Sequence, residues 1–138
     1  MFVWTPGRGS STSPQYSTDN GASWTSTTGL PGRFTAIADK VTPGMFYAFG
    51  NGNFYSTTTS GGTVFTNVNS SPLPSPGSCN GSGCGVIVVN FAKAEDIWLP
   101  LGSNGLYHSA DAGVTWTTIS NVSSANSVAV GAAARSLA

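Results

Sequence analysis

Two copies of one eight-residue phrase constrain this chain more than anything else in it: Ser17-Thr18-Asp19-Asn20-Gly21-Ala22-Ser23-Trp24 and Ser109-Ala110-Asp111-Ala112-Gly113-Val114-Thr115-Trp116. Both read S-x-D-x-G-x-x-W, and a tyrosine stands just upstream of each, Tyr16 and Tyr107. A third, worn copy runs from Thr58 to Phe65, with Ser60 for the aspartate, Gly62 at the glycine position and Phe65 for the tryptophan. Positions 19, 60 and 111 are 41 and 51 residues apart. A β-rich unit recurring at about 40–50 residues is the period of stacked modules, and of propeller blades in particular.

The phrase has a mechanical reading. Ser and Asp side chains bond nearby backbone N–H groups, and Gly supplies a positive φ, so S-x-D-x-G closes a hairpin turn on itself. The tryptophan then opens the next strand and is expected to pack its ring into the adjoining core. These are the marks of the Asp-box. Asp19 and Asp111 are therefore expected to be turn clamps, not catalysts.

Composition fits an all-β chain. Eighteen Gly, eight Pro and abundant Ser and Thr suit short strands joined by turns. Charged residues are only 7%, five basic against five acidic. The five cations are scattered singly, which argues against nucleic acid or an anionic membrane as partner. No run of about 18 apolar residues is present to span a bilayer. Met1 leads straight into strand-like Phe2-Val3-Trp4, so no signal peptide is visible.

The hydrophobic pattern predicts two four-stranded blades. The first has strands at Phe34–Asp39, Met45–Phe49, Asn53–Thr58 and Thr63–Val68; the second at Val86–Ala92, Asp96–Leu101, Gly105–Ser109 and Val114–Ile119. Phe2–Thr5, Pro14–Thr18 and Ala22–Thr27 read as the last three strands of an earlier blade, and Ala125–Gly131 as the first strand of a later one. The divisions are blade remnants at 1–30, a blade at 31–70, an inserted loop at 70–85 and a blade at 86–120. A first strand at 121–131 and an atypical alanine-rich tail at 132–138 complete the chain. This pattern reads as a propeller fragment, since an open stack leaves edges unpaired.

The run from Pro31 to Phe49, with its Asp39-Lys40-Val41-Thr42-Pro43-Gly44-Met45-Phe46-Tyr47-Ala48 core, resembles the fungal xyloglucan-active glycoside hydrolases of family seventy-four. Glu95-Asp96-Ile97-Trp98-Leu99 followed by Gly105-Leu106-Tyr107-His108-Ser109 is similar to the next blade of that family. The resemblance implies part of the second of two tandem seven-bladed propellers in a secreted enzyme. Such an enzyme cleaves the β-1,4-glucan backbone of xyloglucan with inversion, and its partner is xyloglucan or a related plant cell-wall β-glucan. Inversion needs two carboxylates about 6.5–9.5 Å apart. The family takes one aspartate from each propeller, and neither of those motifs matches here, so no catalytic residue is assigned. Asp39 and Asp96 fall at blade-repeat positions near the turn between first and second strands, where anchoring is the plainer role.

Other chemistry is poorer. His108 is the lone histidine and has no nucleophile elbow to serve. With Cys79 or Cys84 it falls short of a metal set, and no cofactor is implied. The competing function is a non-catalytic carbohydrate- or protein-binding Asp-box segment, with Tyr47, Tyr55, Trp98 and Tyr107 in cores or on grooves.

The stretch from Ser70 to Gly85 accounts for the longer second spacing. It carries Pro72, Pro74 and Pro76, then Cys79-Asn80-Gly81-Ser82-Gly83-Cys84. Four intervening residues let two cysteines reach disulfide geometry, and an extracellular family permits oxidation. A Cys79–Cys84 bridge is expected, the alternative being two free thiols. Asn69, Asn80 and Asn121 each begin an Asn-x-Ser glycosylation triplet.

Overall fold

Gly, Pro and Asn interrupt the sequence every few residues, so strands form only in the aromatic and β-branched stretches between them. The computed structural model describes residues 3–5, 13–31, 34–57, 63–79 and 83–132. Among these there is no helix, and the strands form three antiparallel sheets. Sheet 1 holds β1 (Val3–Thr5), β2 (Gln15–Ser17) and β3 (Thr25–Ser26). Sheet 2 holds β4 (Ala36–Ala38), β5 (Phe46–Gly50), β6 (Asn53–Thr57) and β7 (Phe65–Asn67). Sheet 3 holds β8 (Val88–Val89), β9 (Ile97–Pro100), β10 (Leu106–Ser109) and β11 (Thr117–Thr118). Each strand pairs with its sequence neighbour, the meander of a propeller blade.

Sheet 2 is covered on both faces, and its sequence shows why. Strand β5 reads Phe-Tyr-Ala-Phe with no polar alternation, the pattern of a strand buried on two sides. Phe46, Ala48 and Tyr55 pack with Leu30, Phe34 and Phe65 on one side. Tyr47 and Phe54 turn the other way, onto Ile87, Val89, Ile97, Leu99 and Leu101 of the third unit. The tight β5–β6 hairpin turns on Asn51 and Gly52, both left-handed at φ 52° and 76°, as a two-residue type I′ turn requires.

Sheets are also joined along their outer strands. Past β3, Thr28 donates its N–H to the Thr63 carbonyl at 3.0 Å and accepts from Phe65 N–H at 2.9 Å. Past β7, Ser70 N–H donates to the Val114 carbonyl at 3.0 Å. At the second seam Gly113 lies directly on the Phe54 ring. The edge of the Trp116 ring meets that same phenyl at a centroid separation of 4.9 Å.

The strand pairing corrects three expectations. Tyr16 pairs with Thr25 and His108 with Thr117, which sets Ser17 against Trp24 and Ser109 against Trp116. In the worn copy Thr57, not Thr58, faces Phe65, so that turn is one residue longer than the other two. Ser60 and Gly62 lie outside the described residues. The strand expected at Ala125–Gly131 is not formed: Ala125 makes one antiparallel bridge to Gly102 and the following residues make no ladder. A blade's first strand bonds to the second strand of its own blade, and the described residues offer none. Strand β8 is likewise shorter than expected, because the Asn90 side chain accepts the Ala92 N–H at 2.9 Å and turns the chain.

Adding a methyl at Gly113 would place it 2.2 Å from the fully buried Phe54 ring, whereas at Gly21 the nearest atom is 3.6 Å away. Gly21→Ala should cost only the left-handed strain, about 1–2 kcal/mol. Gly113→Ala carries the same strain plus about 1–3 kcal/mol of overpacking. Urea unfolding of the two variants checks this order; equal losses would mean the Phe54 contact contributes nothing.

Candidate functional site

The two intact Asp-boxes are built alike. Ser17 Oγ–H donates to Asp19 Oδ1 at 2.8 Å while Ser17 Oγ accepts the Gly21 N–H at 2.7 Å. Ser23 then donates its N–H to Asp19 Oδ1 (2.9 Å) and its hydroxyl to Oδ2 (2.6 Å). Ser109, Gly113 and Thr115 repeat those bonds around Asp111. The residue before each glycine is left-handed as well, Asn20 at φ 58° and Ala112 at φ 59°. The sequence did not reveal that feature, because alanine seldom adopts it. Each tryptophan folds back so that its indole N–H donates to the carbonyl of its own turn, Trp24 to Gly21 and Trp116 to Gly113. Trp116 is half-buried, but Trp24 is 39% exposed and does not enter a core as expected.

The hydroxyl and N–H donors of Ser23, with Ser17, hold the Asp19 carboxyl far below its ordinary value. At Asp111 burial pushes upward, and the bonds from Thr115 and Ser109 outweigh it.

Asp39 is the most heavily engaged carboxylate. Its Oδ1 accepts the N–H groups of Val41 (2.8 Å) and Thr42 (2.7 Å), closing the β4–β5 turn. Its Oδ2 accepts the buried Tyr47 hydroxyl (2.8 Å) and, from the third unit, the N–H of left-handed Glu95 (3.1 Å). Burial pushes this carboxyl up, yet the four donors together hold it below 3.8. Tyr47 is driven above its ordinary range by burial and by its bond to Asp39.

Asp96 is not the repeat equivalent of Asp39. Asp39 N–H donates to the Met45 carbonyl, and Asn90 N–H donates to the Asp96 carbonyl, both at 2.9 Å. Asn90 therefore occupies the clamp position and Asp96 matches Met45. Both lie near the turn between a blade's first and second strands, as expected, but on opposite sides of it. The Asp96 side chain instead meets Lys93 Nζ at 3.1 Å, His108 Nε2 at 3.4 Å and the Trp98 indole N–H at 3.0 Å. Burial raises its pKa, but these three partners outweigh that and leave it lowered. His108 stacks on Trp98 at 4.2 Å, and residues 128–131 complete a hollow of about 380 Å³ over the pair.

The proline-rich connection is strapped down. Leu73 N–H donates to the Gly52 carbonyl, Gly77 N–H to Leu101, and the Asn104 side chain to Ser75. The loop thus crosses the ends of both β5–β6 and β9–β10 hairpins. Cys79 and Cys84 are disulfide-bonded, with Cα atoms 6.2 Å apart. Asn69 uses both amide hydrogens, donating to the Gly52 and Ser71 carbonyls, and its Oδ1 accepts the Phe54 N–H. That side chain is a clamp, with no free hydrogen to exchange for a glycan. Asn121 is exposed past β11, and Asn80 lies outside the described residues.

General acid catalysis at a glycosidic bond needs a carboxyl whose pKa is raised. Asp19, Asp39, Asp96 and Asp111 are all lowered, and each already accepts several donors. The aspartates sit at turns and seams, and at one seam Asp39 accepts the backbone N–H of Glu95. Among the described residues no group of three or more His, Cys, Asp or Glu could hold a metal ion. Among them no helix is long and apolar enough to cross a membrane.

Asp39→Ala would strip the Tyr47, Val41, Thr42 and Glu95 donors of their acceptor, at a cost of about 3 kcal/mol or more from unsatisfied groups. Because the folded pKa lies below 3.8, the ionised clamp contributes fully above that value. The contribution is lost as pH falls through the folded pKa. Urea midpoints measured from about pH 7 to pH 2 should therefore fall on the acid side, less steeply in Asp39→Asn; parallel curves would show that Asp39 is not part of the acid response.

No family model matches the chain. It is 41% identical over 123 residues to a probable oligoxyloglucan-reducing end-specific xyloglucanase of Neosartorya fischeri, a match covering 88% of the chain and 14% of that relative. It is 36% identical over 132 residues to the xyloglucanase Xgh74A of Acetivibrio thermocellus, covering 96% of the chain and 14% of that protein. Its fold superposes on a solved GH74 enzyme of Niastella koreensis with a TM-score of 0.68 at 31% identity, over 84% of this chain and 16% of that one. The chain thus spans about a seventh of the length of the relatives it matches. Its sheets are β-propeller blades, and the chain belongs to glycoside hydrolase family 74, the family of the xyloglucanases.

Proposed function

We propose that these blades are part of a secreted enzyme that hydrolyses the β-1,4-glucan backbone of xyloglucan with inversion, and that they hold no catalytic pair of their own. The first half rests on relatives named xyloglucanases at 34–41% identity. The second half is carried by one observation: each described aspartate already accepts several donors, in a turn, across a seam or from Lys93 and Trp98, and is held below its ordinary pKa. A carboxyl in that state gives up its proton too readily to protonate a leaving oxygen at working pH. What the segment contributes is rigidity. Self-satisfied turns, the Asp39 bridge between sheets and a strapped connection hold the blade edges where loops from a larger ring can form a cleft.

The chain alone should release no reducing ends from xyloglucan, while its full-length parent does so through two carboxylates outside residues 1–138. Turnover by the chain that disappears in Asp39→Asn or Asp96→Asn would overturn this assignment. A parent that binds glucan without cleaving it would favour the non-catalytic binding segment instead.

Secretion is the setting in which the Cys79–Cys84 bridge persists. Thiol titration of the denatured, unreduced secreted parent should find neither cysteine free, and two titratable thiols there would contradict the secreted assignment.

A further inference from the structure

The seam between sheets 2 and 3 has a groove that the seam between sheets 1 and 2 lacks. Both seams are made alike: the chain leaving one outer strand bonds to the end of the next Asp-box, through Thr28 at the first and Ser70 at the second. Both then continue into a buried leucine followed by proline, Leu30-Pro31 and Leu73-Pro74. The path from Ser70 to Leu73 is one residue longer than that from Thr28 to Leu30.

That residue changes the seam. At the first, a Cβ on Gly29 would lie 1.8 Å from the Phe65 carbonyl oxygen, and the aromatic pair Tyr55 and Phe65 is closed over at 8% and 2% exposure. Tyr107 and Trp116 hold the same register positions at the second seam. There the longer connection stands off, and both rings stay only half-buried. They open, with Thr115, onto a groove of about 290 Å³ whose other wall is residues 70–74.

Its walls are fixed in advance. Asn69 clamps the turn through Gly52, Ser71 and Phe54, and the Trp116 indole is held by its bond to Gly113. The lining carries two aromatic rings, serine and threonine hydroxyls and prolines, and no charged side chain. An ionic ligand finds no counter-charge there. A sugar ring presents an apolar face for the aromatics and hydroxyls for the rim, and the volume is near the low end of about 300–1,000 Å³ for ligand pockets.

We propose that this groove is an accessory binding site for a neutral glycan, holding a β-1,4-glucan segment on the blade seam apart from the hydrolytic centre. The preference for a neutral sugar follows from the lining; the choice of β-1,4-glucan rests on the xyloglucanase reading above.

The test is a titration of the isotopically labelled chain with cellotetraose, followed by NMR at the Trp116 indole N–H, which is assigned by its disappearance in Trp116→Phe. Saturable shifts at Trp116 and the Ser71 amide are expected, with Kd on the order of 1 mM. Ser71→Trp, which fills the groove from an exposed position, should weaken binding about tenfold or more, while Ser124→Ala, exposed and outside the lining, leaves it nearly unchanged. No saturable shift, equal binding by Ser71→Trp, or shifts produced by a proline-rich decapeptide and not by cellotetraose would each overturn the site. Response to mannotetraose alone would sink the β-1,4-glucan assignment while upholding a neutral-glycan groove. Hydrolysis of xyloglucan by the full-length parent is measured separately, so failure of the groove and failure of the enzymatic reading are distinguishable.

Discussion

Blades stack only if the turn of one can lie flat on the face of its neighbour, and here that depends on Gly113 meeting the Phe54 ring. No side chain separates the Asp-box backbone from that phenyl. The Trp116 edge then reaches Phe54, and the Ala112 N–H comes within 3.1 Å of the Glu95 carbonyl. Glu95 in turn gives its own N–H to Asp39 across the sheets. The ring contact and the Glu95 N–H bond to the Asp39 carboxylate together fix sheet 3 against sheet 2. The serine–aspartate pair matters because it holds the turn in a doubly left-handed path whose strain the sheet contact alone would have to overcome.

Local features of this architecture are legible in the sequence, because local physics sets them. The S-x-D-x-G turns carry their own donors and acceptors, and the Phe-Tyr-Ala-Phe run of β5 reads as a strand covered on both sides. Hairpin signals at Asn51-Gly52 sit where the chain reverses. What could not be read were properties that belong to pairs of sheets. Trp24 and Trp116 occupy identical sequence settings, yet Trp116 meets the Phe54 ring of the neighbouring sheet and is half-buried while Trp24 is exposed. Register decided the worn turn, where Thr57 faces Phe65 and one extra residue is absorbed outside the ladder.

At the candidate site, the sequence places Asp19 and Asp111 in turns and Asp39 and Asp96 near the turn between first and second strands, without showing on which side of that turn each falls. That the aspartates anchor turns follows from Ser, Gly and Asp spacing. That Asn90 and not Asp96 matches Asp39 needs the backbone bond from residue 90 to residue 96, which no composition or period discloses. The groove at the second seam was also out of reach, since it arises from a single residue of connection length read against the burial of Tyr55 and Phe65. Aromatic residues on strands are more often core than ligand platforms. Only the contrast between repeats shows which ones have been left open.

The scarcity of charge acquires a physical meaning in this light. In a fold where most surfaces face another sheet, a carboxylate survives only if donors surround it, since an unpaired buried charge is costly. Asp39 meets that condition between sheets, Asp96 against Lys93 and Trp98, and Asp111 within its Asp-box turn, while Asp19 keeps the same turn bonds at an exposed site. The same donors that make these carboxylates tolerable also lower their pKa and occupy their oxygens. A catalytic acid needs the opposite setting, desolvated and short of donors, with a free edge toward substrate. Carboxylates engaged by donors inside the blades hold turns and seams together.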